Sequence, residues 1–367
     1  MSALTQPSTS RTTPVLAAQG SRLVLTTVAV IIATTVLLVV GACLLPHDRY
    51  LRFKSSTDVD FVKYGWTYER IHFDKRPIDV AFFGTSGTML AVNSALVEKS
   101  FAAASGEAVN VVNFSHADTG RDADYLIARE LLQKARPRVL VIEMGEIEGG
   151  RLNPSFELLA EPSDLLQAPL IVNPNYFTNL VRLPGRQLSL FARTMAPGVF
   201  GDSTQFNPAT YRGPHWDNPE VGATGRFRAA VYDGTTSESE LKADQRKRAT
   251  LIWAPNPHLP LAIQAALWRL KPRANLIYLR KLLDLAKQHA VPVRFLYMSA
   301  WRDSGVARQA DFYRRYAPTW KYPGDIDRAD WWYNSSHLNR NGSIAFSDWL
   351  GRRLAEDFRH DRPASPQ

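Results

Sequence analysis

Residues 78–89 read IDVAFFGTSGTM. The first six are apolar except for Asp79 and rich in strand formers, and Gly84 stops the run. Ser86 sits in the tight turn that follows, and a helical spacing of apolar residues starts near Met89, through Leu90, Val92, Leu96 and Val97. A short apolar run feeding a helix has the pattern of a buried parallel strand. Open α/β sheets bind ligands outside the carboxyl ends of their strands, so Ser86 falls where chemistry is usually done. Gly84 and Gly87 let the backbone turn sharply and approach a substrate closely. Gly-Thr-Ser-Gly is also a common turn composition, so the stretch does not define a nucleophile by itself.

The same rhythm extends outward. A helix is expected over about 89–103 and a second strand over about 108–114 (AVNVVNF). An amphipathic helix over about 119–135 follows, with Tyr125, Leu126, Ala128, Leu131 and Leu132 set against Arg121, Asp122, Arg129 and Lys134. Pro137 ends it, and a third strand covers 138–144 (RVLVIEM). A helix over about 272–289, a strand over 291–299 (VPVRFLYMS) and a last helix to about 358 resume the pattern. Strands alternating with helices predict a parallel sheet with helices on both faces. Between 149 and 270 prolines recur and element signals are short, which reads as an insertion, a cap or substrate-facing subdomain.

Residues 334–346 read NSSHLNRNGSIAF, with His337 just before the last helix (Ile344, Phe346, Trp349, Leu350). A serine after the first strand and a histidine before the last helix resemble the SGNH (GDSL-like) hydrolase superfamily. Within it, the likeness is to the membrane-anchored branch associated with acylation of cell-surface polysaccharides. That family's first block reads roughly Gly-Asp-Ser, or Gly-Ser/Thr-Ser in this branch, and its last block Asp-x-x-His-Leu-Asn-x-x-Gly. Here Ser86 matches the nucleophile, and His337-Leu338-Asn339 with Gly342 match the last block. The likeness covers about 76–150 and 271–355 and leaves out the middle. It implies a flavodoxin-like three-layer sandwich and a serine-dependent O-acyltransferase or carbohydrate esterase in which Ser86 is acylated and His337 moves protons. It also implies a polysaccharide or other hydroxyl acceptor, with an integral membrane acyltransferase as a possible partner.

Two positions depart from that pattern. The aspartate three residues before the histidine is Asn334; an amide can orient an imidazole but cannot stabilise its cation. Asp330, preferred over Asp327 and Asp325, is the carboxylate expected to reach in from the preceding loop. The oxyanion donors implied by the resemblance are the Ser86 N–H, a glycine after the second strand and an asparagine after the third. Gly120 is the candidate glycine, with Asp118 competing for its place, and the third strand ends in Glu143-Met144-Gly145-Glu146-Ile147-Glu148, without an asparagine. Asn113 is the neighbour expected to supply that donor, and Glu143, Glu146 and Glu148 read equally well as a solvated loop. A serine hydroxyl needs a base, and histidine titrates near neutrality; His116 and His72 compete with His337 for that role. Residues 331–333 (WWY) suit sugar stacking, with core packing the favoured reading. These departures support an alternative, a catalytically weak polysaccharide-binding or scaffolding partner of an integral membrane acyltransferase.

The chain has 367 residues, 45% of them hydrophobic, enough for one large domain or two. Its net charge is +9 and its pI about 9.6. The basic residues are scattered without a basic helix, finger or aromatic RNA-binding signature, so no nucleic-acid partner is expected and lipid headgroups or an acidic polysaccharide fit better. Cys43 is the single cysteine, which excludes an internal disulfide. No HExxH, phosphate-binding glycine loop or metal-ligand spacing is present, so no cofactor or metal is expected.

Residues 1–22 are polar and expected to be disordered; residues 23–45, from Leu23 to Leu45, carry no charge and are long enough to cross a lipid bilayer. Val40-Gly41-Ala42-Cys43 also allows a lipoprotein signal, but the run is long for a cleaved segment, which favours an anchor. Either places the main domain outside the cytoplasmic (inner) membrane, facing the periplasm or exterior. Two basic residues precede the span and four follow it (Arg49, Arg52, Lys54, Lys63), which points the other way, but long domains translocate largely regardless of such charges. Residues 46–75 read as a linker whose Tyr50, Phe53, Tyr64, Trp66 and Tyr68 suit a membrane interface, 76–360 as the main domain, and 361–367 as a frayed tail.

Overall fold

The structure is a computed structural model that describes residues 14–55, 63–117, 120–145, 152, 154–168, 173, 175–217, 234–253, 274–302, 310–324 and 326–360. Asp118, Glu146, Glu148, Asp325 and the C-terminal tail lie outside them.

The first half of the chain runs α1 (Pro14–Cys43), α2 (Arg49–Lys54), α3 (Lys63–His72), β1 (Val80–Phe83), α4 (Ser86–Ala91), α5 (Ser94–Ser105), β2 (Val111–Asn113), α6 (Arg121–Lys134) and β3 (Val139–Glu143). Then come α7 (Pro154–Leu159), α8 (Pro162–Gln167), α9 (Tyr176–Met195), α10 (Glu238–Trp253), α11 (Ala274–Gln288), β4 (Val293–Tyr297), α12 (Ala310–Arg314), β5 (Thr319–Lys321), β6 (Trp332–Asn334), β7 (His337–Leu338) and α13 (Arg340–His360). Five strands form a parallel sheet in the order β2-β1-β3-β4-β5, and β6 and β7 make a separate antiparallel hairpin.

Alternate residues of a strand face opposite sides of its sheet. Ala81, Phe83, Leu140 and Ile142 pack with α3, α6 and α11, while Val80, Phe82, Val139 and Val141 pack with α5, α13 and the hairpin. The open edge of β2 is closed by carboxylates: Val111 N–H donates to Glu98 at 2.8 Å and Asn113 N–H to Asp217 at 2.6 Å. Capping an edge in this way blocks addition of a further strand.

The helix expected over 89–103 is two helices. Val92 and Asn93 are extended, and the Asn93 side chain caps α5 by accepting from Leu96 N–H at 3.1 Å. α1 begins at Pro14, inside the stretch expected to be disordered. Among the described residues of the supposed linker, 46–75, lie α2 and α3, and Tyr50, Phe53, Tyr64 and Trp66 are buried in the domain rather than held at a membrane interface. Tyr68 packs against the same core and stacks on His72. The described part of the insertion divides: α7 packs with α2 and α6, and α9 with α2 and α8, whereas α10 lies against β6.

Candidate active site

β1 delivers Gly84, Thr85 and Ser86 to the carboxyl edge of the sheet. Its register with β3 pairs Phe83 with Ile142, which sets Gly84 beside Glu143. The Glu143 carboxylate is buried and accepts from Thr85 N–H at 2.7 Å, from Thr85 Oγ1–H at 2.9 Å and from Thr88 Oγ1–H at 2.7 Å. A side chain at Gly84 would put its Cβ 2.7 Å from Glu143 Cβ and 2.9 Å from Thr88 Oγ1, so this approach requires glycine. Glu143 is thus no part of a solvated loop; it ties down the turn that carries Ser86. Arg121, at the start of α6, donates to the Glu143 carbonyl and to Asp124 Oδ2, the latter at 2.9 Å.

Ser86 is the first residue of α4 rather than a turn residue before a later helix. Thr85 caps this helix, its Oγ1 accepting from Gly87 N–H at 3.3 Å. Early helical N–H groups have no partner within the helix. Thr85 N–H and Gly87 N–H are taken up by Glu143 and Thr85, whereas the Ser86 N–H makes no hydrogen bond among the described residues.

The histidine arrives from the other end of the fold. Ser86 Oγ lies 2.7 Å from His337 Nε2, across 251 residues of sequence. His337 opens β7, opposite Asn334 in β6, and its Nδ1 lies 3.0 Å from Asn334 Oδ1. Asn334 Oδ1 also accepts from Ser336 N–H at 3.0 Å. A backbone N–H can only donate, so the atom facing His337 is the amide oxygen and Nδ1 carries the proton. Nε2 is then the basic nitrogen, placed to accept from Ser86 Oγ–H.

The remaining motif residues hold this hairpin. Asn339 is buried and caps α13, accepting from Gly342 N–H at 3.2 Å while its amide donates to Asp330 O at 2.9 Å and Gly234 O at 3.1 Å. Ser335, in the hairpin turn, donates through N–H at 3.0 Å and Oγ–H at 2.6 Å to Asp244 of α10. Thr236 adds a hydroxyl bond to the Tyr333 carbonyl. Trp332 is core, its indole N–H donating to Ile326 O at 2.6 Å.

Several expected partners lie elsewhere. Asp330 is exposed and pairs with Arg328 at 2.7 Å, so it does not orient His337. Asp327 accepts from Arg302 N–H at 2.7 Å. The Asn113 amide is buried and donates to Thr88 O at 3.2 Å and Val92 O at 2.9 Å; it braces α4 and is not turned to an oxyanion. Gly120 caps α6 beside two residues outside the described set. The His116 ring is buried against Tyr64 and meets Thr67 Oγ1 at 3.3 Å; burial first, then the Lys63 charge, hold its pKa well below the ordinary range. His72 meets Glu130 at 3.3 Å. Among the described residues no cluster of His, Cys, Asp or Glu is arranged to hold a metal ion.

Motif reading names Glu143 without its role in holding the Ser86 turn, and does not name Asp244 at all. The β1–β3 register is the signal for Glu143, since it follows from aligning two apolar runs; Asp244 has none, because α10 reaches the hairpin only through tertiary packing. Comparison with protein-family models and with curated proteins finds no match.

Proposed function

We propose that this chain is a membrane-anchored, SGNH-like serine acyltransferase or esterase acting outside the cytoplasm on a cell-surface polysaccharide, most simply with an acetyl group. The observation that carries the reading is the Ser86 Oγ to His337 Nε2 contact of 2.7 Å, backed by Asn334 on Nδ1. The strand order β2-β1-β3-β4-β5 is the flavodoxin-like one, which supports the fold expected from the resemblance. α1 supports the anchor: Arg22–Cys43 is long and apolar enough to cross a membrane, and its most apolar 18-residue stretch has no buried residue.

In this reading Ser86 Oγ attacks the acyl carbonyl carbon as its proton passes to His337 Nε2. The carbonyl oxygen takes up negative charge facing the Ser86 N–H. Collapse breaks the bond to the donor's oxygen, which leaves with the proton from Nε2. An acceptor hydroxyl, or water, then gives its proton to Nε2 and attacks the acyl-serine, and Ser86 Oγ regains the proton on leaving. An amide in place of the orienting carboxylate slows such chemistry; in the serine-protease triad that exchange costs about 10⁴ in turnover.

A fluorophosphonate probe tests this. Wild-type protein is expected to be labelled and to turn over a chromogenic acetyl ester, and Ser86→Ala to do neither; an unlabelled, inactive wild type overturns the proposal. The occupied Asn113 amide and the amide at Asn334 favour a second reading, a polysaccharide-binding partner of a membrane acyltransferase. It predicts glycan binding that survives Ser86→Ala, with cellular acylation unchanged.

A further inference from the structure

α9 is a twenty-residue helix with two apolar faces. One, through Leu183 and Leu190, is buried against the domain. The other is bare: Phe177 is 65%, Val181 80%, Leu188 55% and Met195 68% exposed. At 100° per residue these four fall within about 40° of one another. Val199 and Phe200, in the 3-10 turn that follows, extend the bare surface. An exposed stripe of this length marks a binding face rather than scattered surface residues.

The position of α9 says what covers that stripe. It packs against α1 at the point where the apolar helix ends: Gln187 donates to the Cys43 carbonyl at 3.4 Å, and Thr194 Oγ1 accepts from Asp48 N–H at 2.9 Å. Gln187 and Thr194 lie on the flank of α9, about 90° round from the exposed stripe. On the far side Arg186 and Arg193 bond to Ala160 O and Asp202, within the protein. A helix lying in a membrane surface beside one that crosses it has this layout. Its flank meets the crossing helix, one face meets the domain, and the face a quarter turn from the flank meets lipid.

We infer that α9 is an interfacial helix whose stripe Phe177, Val181, Leu188 and Met195, with Val199 and Phe200, sits at the boundary of headgroups and acyl chains in the leaflet where α1 emerges. This rests on the reading of α1 as a membrane anchor. Two attachments fix the orientation of the domain, and with it the height of the Ser86 site above the bilayer, as a single helix could not.

The test uses the full chain, with Cys43→Ser as background, reconstituted in phosphatidylcholine vesicles. Single cysteines Val30→Cys in α1, Val181→Cys and Leu188→Cys in α9, and Arg352→Cys on α13 carry an environment-sensitive fluorophore. The α9 sites are exposed, so the substitutions leave the core intact. Lipids brominated near the headgroup end of the chains are expected to quench labels at 181 and 188, lipids brominated at the chain ends to quench the label at 30, and neither to quench 352. Quenching at 30 without quenching at 181 and 188 overturns the inference and leaves the anchor standing. No quenching at 30 overturns the anchor, and the inference with it.

Discussion

Asn334 Oδ1 receives three donors, from Ser336 N–H at 3.0 Å, Ser336 Oγ–H at 3.1 Å and His337 Nδ1 at 3.0 Å. An oxygen surrounded by donors suits a carboxylate as well as an amide. Asn334→Asp should therefore keep the ring in place while adding the charge that stabilises an imidazolium. The expected result is ester turnover at least about tenfold above wild type, given the size of the reverse exchange in serine proteases. The acid limb of the pH–rate profile should also move to higher pH, because a neighbouring carboxylate favours the protonated ring. Equal or slower turnover would mean that His337 does not carry the proton. The serine–histidine pair was legible because both motif blocks are local in sequence. The fates of Asn113 and Glu143 were not, because both depend on which strand lies next to which: Asn113 is drawn in to cap the carbonyls of α4, and Glu143 reaches across from β3.

At the scale of elements, the site depends on how α13 seats against the β6–β7 hairpin. A Cβ at Gly342 would stand 2.5 Å from Trp331 O and 2.8 Å from a Leu338 methyl, next to His337. Gly342→Ala should push helix and hairpin apart, at a cost of about 1–3 kcal/mol for overpacking. Thermal melting should show the lower stability, and fluorophosphonate labelling of Ser86 should slow by more than stability alone explains, since His337 moves with the hairpin. The start of α6 offers a different test. Burial outweighs the pull of Arg121 and raises the Asp124 carboxyl to about 6 from an ordinary 3.8. The folded state then holds that proton more tightly, so this stabilisation is complete below about pH 4 and is lost as pH rises through about 6. The melting temperature of wild type minus that of Asp124→Asn should fall from pH 4 to pH 7; a rise would show that the Arg121 charge prevails over burial. β1 to β4 were readable as apolar runs with helices between them. α9 was not, because Pro184 and Gly185 inside it read as breakers, and β5 is three residues long within a charged, aromatic stretch.

At the scale of the molecule, the region after α1 is part of the fold. Lys63 sends its ammonium to Asn113 O at 2.7 Å and Ser115 O at 2.8 Å, and burial pushes its pKa down to about 8. Tyr64 donates to Ser155 at 2.9 Å, Trp66 to Gly213 O at 2.9 Å, and Arg70 to Arg76 O at 2.7 Å. Arg52 is buried against Glu161 at 2.5 Å. Mixed charge and aromatics made 46–75 read as a linker, yet its short helices turn the aromatics inward and pair the charges. Four aromatic side chains burying about 150–250 Å² each, at about 25 cal/mol per Å², contribute roughly 15–25 kcal/mol. A domain's whole margin is about 5–15 kcal/mol. Where the chain is cut therefore decides whether it folds. A chain of residues 46–367 should melt cooperatively by circular dichroism, with mild detergent to cover the bare stripe of α9. A chain of residues 76–367, which starts where motif reading placed the domain, should show no cooperative transition. A cooperative melt from the shorter chain, with Ser86 still labelled, would show that α2 and α3 are dispensable to the fold.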